Sequence, residues 1–355
     1  MKRIPFHNRE RELKEVMRIL GAEPSLITFV YGPINSGKTT MISHLIEQLP
    51  EDYAPFYVNL RGRFITDYED FLNVLFEIDE GGEVDNVTGY AKSILKDLGT
   101  VSGIPIPKNL FEQIFEKKDK SKDVFKYIEQ FLIEISNKRV PVLIIDELQV
   151  IGDLKINGLL MYKLFNFFIR LTKELHLCHI FVVSSDSLFI ENVYSEAMLD
   201  GRCRYLVVDD FDYETTATLL ERDGFTDEEK AVAWEYCGGK PVCLMEMIHA
   251  DNRELIAKDM LKTRVTHLKD LLDYLDYTRP RIMIGDDEYL VEKGDIADIL
   301  NKFVDTEYID DEGLNRPAKH FLIKDNILFL DPHTGIIKPQ SRLNLLAIRE
   351  VLKDV

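Results

Sequence analysis

Residues 32–39 constrain this chain more than any other stretch: Gly32-Pro33-Ile34-Asn35-Ser36-Gly37-Lys38-Thr39 satisfies the pattern G-x-x-x-x-G-K-[S/T] at every fixed position. A continuous apolar run, residues 26–31, precedes it and reads as a strand covered on both faces. A helical pattern over residues 39–49 follows. Glycines let the backbone wrap so that its N–H groups point inward, and the helix adds the positive end of its dipole to the same place. This is a cradle for phosphate. Lys38 is expected to reach the β- and γ-phosphates of a nucleotide as a point charge, and Thr39 to hold Mg2+ through its hydroxyl. All of residues 32–39, with Thr40 behind them, form the expected nucleotide contact.

A second apolar strand, residues 140–145, ends in Asp146-Glu147. An acid at a strand end is common, but downstream of a phosphate loop it becomes specific. The Asp146 carboxylate is suited to complete the Mg2+ shell through water, and Glu147 to orient and deprotonate an attacking water. A glutamate directly after that aspartate favours hydrolysis over nucleotide binding alone.

Elements around the two motifs alternate. Leu13, Val16, Met17 and Leu20 give a helix over 9–20, ended by Gly21 and Pro24. Further strands fall at 55–60 and 180–183. Helices fall at 66–78, with Thr66 and Glu69 as a capping box, at 122–136 and at 159–175. Such alternation implies a parallel sheet with right-handed crossovers. Residues 62–121 read as an insertion that covers or flanks the core, with a helical patch near 91–98. After about residue 209 the buried strands stop. Helices at 213–223, 228–237 and 242–249, then a run to about 276, make a helical lid.

The last segment is mixed. It has a helix at 294–303, two β-like runs at 321–324 and 327–330 joined as a hairpin at Asp325-Asn326, and a final helix capped by Ser341. A winged helix fits, as do other small α+β modules. The expected fold is therefore α/β: a P-loop parallel sheet with helices on both faces over 1–208, a helical lid over 209–277, and a small winged-helix-like domain over 278–355.

Composition narrows the partners. A chain of 355 residues exceeds one hydrophobic core. Its 44 basic against 62 acidic residues give −18, which on average repels nucleic acid and acidic membrane. No apolar run approaches the ~18 residues of a membrane helix. The charged opening lacks a signal core, so the cytoplasm is the expected compartment. The four cysteines make no C-x-x-C pair. His176, Cys178 and His179 lead into an apolar strand without a second ligand group, which is a structural pattern.

The loop 32–39, Asp146-Glu147-Leu148-Gln149, and the opening Phe6-His7-Asn8-Arg9-Glu10-Arg11-Glu12-Leu13 resemble the archaeal ATPase family, in the STAND branch of the AAA+ superfamily. Asn326-Ile327-Leu328-Phe329-Leu330-Asp331-Pro332 and Lys338-Pro339-Gln340-Ser341 resemble that family's C-terminal region. The resemblance implies that Arg9 and Glu10 lie beside the adenine, and that Ser184 or Ser185, with Ser185 favoured, senses the γ-phosphate. It implies that Arg202, rather than Arg204, neutralises charge on the phosphoryl group, from its own subunit or a neighbour's. It also implies that Gly239-Lys240-Pro241 is the Gly-x-Pro element of the lid, with Pro241 against the nucleotide. Each of these residues also has a plainer reading as a helix start, turn, surface arginine or helix end. Asn59, ending the second strand, is a weaker candidate for coupling the site to a distant ligand.

A guanine-reading Asn-Lys-x-Asp is absent in register, because Asn301-Lys302-Phe303-Val304-Asp305 has one residue too many. The leading expectation is a nucleotide-operated switch that hydrolyses ATP slowly with Mg2+ and acts on an unidentified protein partner. The alternative is an ATP-dependent regulator that docks its winged helix on DNA. Against it, acids outnumber bases from residue 279 onward and no basic recognition helix is visible. A small-molecule kinase is a third reading, but such chains need no lid followed by a winged helix.

Overall fold

The apolar runs become strands because every position along them is covered. A computed structural model describes residues 7–81, 86–95, 101–115, 120–151, 160–196, 199–285 and 287–353. By contacts the chain divides into two units.

The first unit comprises Met1–Tyr31, Lys38–Ser184 and Phe189–Val207. Its strands are β1 (Ile27–Tyr31), β2 (Tyr53–Asn59), β3 (Phe76–Asp79), β4 (Val101–Ser102), β5 (Ile104–Pro107), β6 (Val140–Asp146), β7 (His179–Ser184) and β8 (Cys203–Val207). Six form one sheet in the order β4-β2-β6-β7-β1-β8, parallel throughout. All of β1 and β7 is buried, which requires cover on both faces. The fold is α/β, as expected. Register pairs Asn59 with Asp146, Asp146 with Val183, and Tyr31 with Ser184. The carboxyl ends of four strands therefore share one edge, where open α/β sheets bind ligands.

Local expectations change at four places. The helix expected over 66–78 runs Tyr68–Leu75, and its cap is Asp67, whose side chain accepts from the Asp70 amide. Thr66 instead donates to Asp70. Residues 76–79 leave the helix to pair as β3 with β5, from Phe76 with Ile104 to Asp79 with Pro107, a partnership that helical spacing does not reveal. Strand β8 leaves no mark in the sequence, because only Leu206 of it is buried and an edge strand lacks a continuous apolar run. The patch near 91–98 is a helix over Val87–Ile94; residues 96–98 lie outside the described residues. Likewise Leu160–Ile169 is α-helical and continues as a π-helical turn, Arg170–Glu174, while residue 159 lies outside the described residues.

The second unit comprises Gly32–Gly37, Ser185–Leu188 and Val208–Val355. Helices Tyr213–Arg222, Asp227–Cys237 and Pro241–His249 pack around Leu219, Leu220, Phe225, Leu244 and Met247. The long helix Arg253–Tyr277 serves two cores. Ala257 joins that cluster, while Leu268, Leu272 and Leu275 join another with Ile296, Phe303, Leu322 and Ile348. The C-terminal part holds the antiparallel pair β9 (Arg281–Ile284) and β10 (Asp287–Leu290), and a sheet of β11 (Ile309–Asp310), β12 (Leu328–Leu330) and β13 (Ile336–Pro339) in the order β11-β13-β12.

The hairpin expected from 321–324 and 327–330 is not formed. Residues 321–324 close the helix Arg316–Lys324, started by the Asn315 side chain accepting from the Ala318 amide and by proline in the first turn. β12 pairs with β13 through a turn closed by Asp331 N to Ile336 O and Gly335 N to Asp331 O. Ser341 caps the last helix, Arg342–Val351, as expected. No helix among the described residues is long and apolar enough to cross a membrane.

Candidate functional site

β1 hands the chain to the glycine loop at Tyr31, and the helix Lys38–Gln48 takes it up again. Between them φ is 156° at Gly32, 60° at Asn35 and 95° at Gly37. A Cβ on Gly32 would stand 2.2 Å from the Val208 carbonyl oxygen, so only glycine fits there. Lys38, the first helical residue, is 6% exposed.

In the first unit Thr39 and Asp146 meet. The Thr39 hydroxyl donates to Asp146 Oδ2 at 2.8 Å. The Tyr57 hydroxyl donates to the same oxygen at 2.9 Å, and the Asn59 amide donates to the Tyr57 oxygen at 3.2 Å. That last bond occupies the phenol's acceptor side and turns its proton toward Asp146. Asp146 is 1% exposed, and its Oδ1 has no hydrogen-bond partner among the described residues. Burial raises the carboxyl above its ordinary range, and the two donated bonds partly offset this. Burial and the neighbouring carboxylate raise the Tyr57 phenol, which therefore stays a donor. A buried carboxylate oxygen without a donor, next to a threonine hydroxyl, is a hard-oxygen pair that fits Mg2+.

Glu147 follows with φ of 63°, an uncommon conformation for a residue with a side chain. Its amide donates to Val183 O at 2.9 Å, which fixes the turn. Its carboxylate is held from two sides, by the Arg61 guanidinium on Oε1 and by the Gln149 amide on Oε2 at 2.5 Å. The Ser184 hydroxyl, fully buried, donates to Gln149 Oε1 at 2.9 Å. Ser184, not Ser185, thus joins the acidic segment; Ser185 is grouped with the second unit. Asn59 reaches Tyr57 and accepts from the Arg61 amide, so it belongs to the same network.

Other expected residues fall elsewhere. Arg9 is 5% exposed with φ of 134°, and its guanidinium meets Glu12 at 2.8 Å; Glu10 begins the helix Glu10–Leu20 and is exposed. Arg202 lies at the wrong end of the sheet for a role inside its own subunit. Its carbonyl accepts from Ile27 N, at the amino end of β1, whereas the loop leaves β1 after Tyr31. Five residues at ~3.3 Å each separate those ends by roughly 15 Å. Arg204, at the same end, donates to Ser25.

In the second unit the Gly-x-Pro element reaches the loop through Lys240. Its ammonium donates to the Ile34 carbonyl at 3.1 Å and pairs with Asp210 at 2.8 Å. Pro241 occupies the first turn of its helix. The side-chain oxygen of Gln340 accepts from the Ile34 amide at 3.0 Å.

Tyr57, Arg61, Gln149, Lys240 and Gln340 were not assigned roles from sequence. Tyr57 and Asn59 stand two apart on β2 and so share a face, a signal that was available. Gln149, Lys240 and Gln340 lie within recognisable motif segments, but a motif by itself assigns their side chains no contact.

Residues 6–247 match a family model described as an ATPase domain predominantly from Archaea. Residues 254–352 match one described as "Uncharacterized ATP-binding protein MJ1010-like, C-terminal domain". An "uncharacterized ATP-binding protein" of Methanocaldococcus jannaschii is 44% identical over 359 residues, covering 98% of this chain and 99% of its own. One of the same description from Pyrococcus abyssi is 44% identical over 350 residues, covering 98% and 99%. Among solved structures, a Walker-type ATPase of Pyrococcus abyssi aligns over 97% of this chain and 96% of its own, with TM-score 0.60 and 15% identity, a likeness of fold.

Proposed function

The chain belongs to the archaeal ATPase family, and from that premise we propose that it binds ATP with Mg2+ along residues 32–39 and hydrolyses it to ADP and phosphate. Lys38 takes the β- and γ-phosphates, and the loop amides line the anion. Thr39 and Asp146 are the residues that would hold the cation, whose charge would offset that of the phosphates. Glu147 orients the attacking water and accepts its proton. Lid and C-terminal segments, 209–277 and 278–355, answer to the nucleotide in the manner of a STAND switch, with a winged-helix-like module that meets a protein partner.

The observation that carries the reading is the Thr39–Asp146 contact. A hydroxyl and a carboxylate 107 positions apart in sequence meet at 2.8 Å, with the second carboxylate oxygen lacking a donor among the described residues. The fold, not chain order, brings them together, and the pair it makes suits a hard cation. Glu147→Gln tests the hydrolytic half. Phosphate release should fall by about a hundredfold or more, with ATP binding retained. Undiminished release would remove Glu147 from the role.

A further inference from the structure

Both the N–H and the C=O of Ile34, within the loop, meet side chains that come from far along the chain. On its N–H side stands Gln340, directly after β13, with its oxygen 3.0 Å away. Gln340 is 4% exposed, and its own amide is fixed on the Leu328 carbonyl at 3.2 Å, so its oxygen has little freedom to turn. On the C=O side stands Lys240, with its ammonium 3.1 Å away. Lys240 is 3% exposed and is held by Asp210. Behind Lys240 the backbone is pinned: a Cβ on Gly239 would lie 1.7 Å from the Phe211 carbonyl oxygen, and the Phe211 amide donates to Gly239 O at 2.9 Å.

We propose that Lys240 and Gln340 are positioning residues that clamp the Ile34 backbone, at its C=O and its N–H respectively, and so hold the phosphate loop in the shape that receives nucleotide. The clamp makes the loop's geometry depend on two segments, the helix start at Pro241 and the strand end at Pro339. A movement of either releases one backbone polar group of a residue four positions before Lys38. Neither side chain touches the phosphates in this role; each acts through the loop backbone. The inference rests on the loop being a nucleotide site.

The test uses the full chain and reads two quantities. One is hydrogen exchange at the Ile34 amide without nucleotide, which does not depend on the proposed activity. The other is ATP affinity and turnover with Mg2+. Gln340→Met keeps the bulk and removes the acceptor. It should speed exchange at Ile34 severalfold, weaken ATP binding about three- to tenfold, and leave the melting transition nearly unchanged. The double change Lys240→Met with Asp210→Asn removes the second arm without stranding a buried charge, and should weaken ATP binding similarly. Lys240→Arg, which keeps a cation for Asp210 and Ile34, should restore most of it. Unchanged exchange at Ile34 in Gln340→Met would overturn the contact. Faster exchange with unaltered affinity and turnover would overturn the positioning role. Absence of ATP binding by the unaltered protein, with exchange behaving as expected, would sink the ATPase reading instead.

Discussion

Replacing Tyr57 by phenylalanine removes one hydroxyl from the Asp146 carboxylate and little else. That carboxylate is 1% exposed and accepts two hydrogen bonds on Oδ2, from Thr39 at 2.8 Å and from Tyr57 at 2.9 Å. Both bonds favour the ionised form, while burial opposes it and already holds the group above its ordinary range. A hydrogen bond to a charged group is worth about 1.5–3 kcal/mol, and one pKa unit corresponds to about 1.4 kcal/mol. Losing the phenol should therefore push the Asp146 carboxyl up further, by the worth of that one bond. The sign is fixed: protonation neutralises the carboxylate, so cation affinity is present above the pKa and lost as pH falls through it. The assay is Mg2+-dependent ATP binding by calorimetry as a function of pH, with parent and variant compared under the same buffers. In Tyr57→Phe the midpoint of the loss should move upward relative to the parent by about one to two pH units. An unmoved or lowered midpoint would refute the claim that the phenol supports the ionised cation ligand.

Two other substitutions probe neighbouring claims. Arg61 is largely exposed and pairs with Glu147; releasing so exposed a pair is worth about 0.2–1 kcal/mol, so Arg61→Ala should raise turnover up to about fivefold while ATP affinity stays the same. Reduced turnover there would mean that Arg61 assists Glu147 instead of restraining it. Gly239→Ala would drive a Cβ to 1.7 Å from the Phe211 carbonyl oxygen, and chemical denaturation should show a loss of about 3 kcal/mol or more; a neutral result would mean that the Phe211–Gly239 approach is not fixed.

How much was legible in sequence depended on whether the signal was local. The glycine loop and the strand ending in Asp146 declare themselves because glycine spacing and a fully buried strand leave marks in neighbouring residues. Helix ends were readable where a capping side chain acts within three residues, as at Ser341. The hairpin at 321–330 was misplaced because Phe321-Leu322-Ile323 has strand propensity, while Asn315 and Pro317, several residues upstream, had already committed the chain to a helix. Arg202 illustrates a different limit: a Gly-Arg motif carries no information about which end of a parallel sheet it will occupy, and register with β1 decides that. Tyr57, Arg61, Lys240 and Gln340 act across 89, 86, 206 and 306 positions of chain, and only the fold joins such distances.

The most direct test of the account is equilibrium binding of ATP, with and without Mg2+, to the folded parent chain and to Lys38→Ala. The parent should show saturable binding that Mg2+ strengthens, and most of that affinity should be lost when the ammonium is removed. A parent that melts cooperatively yet takes up no ATP, or a Lys38→Ala variant that binds as the parent does, would contradict it.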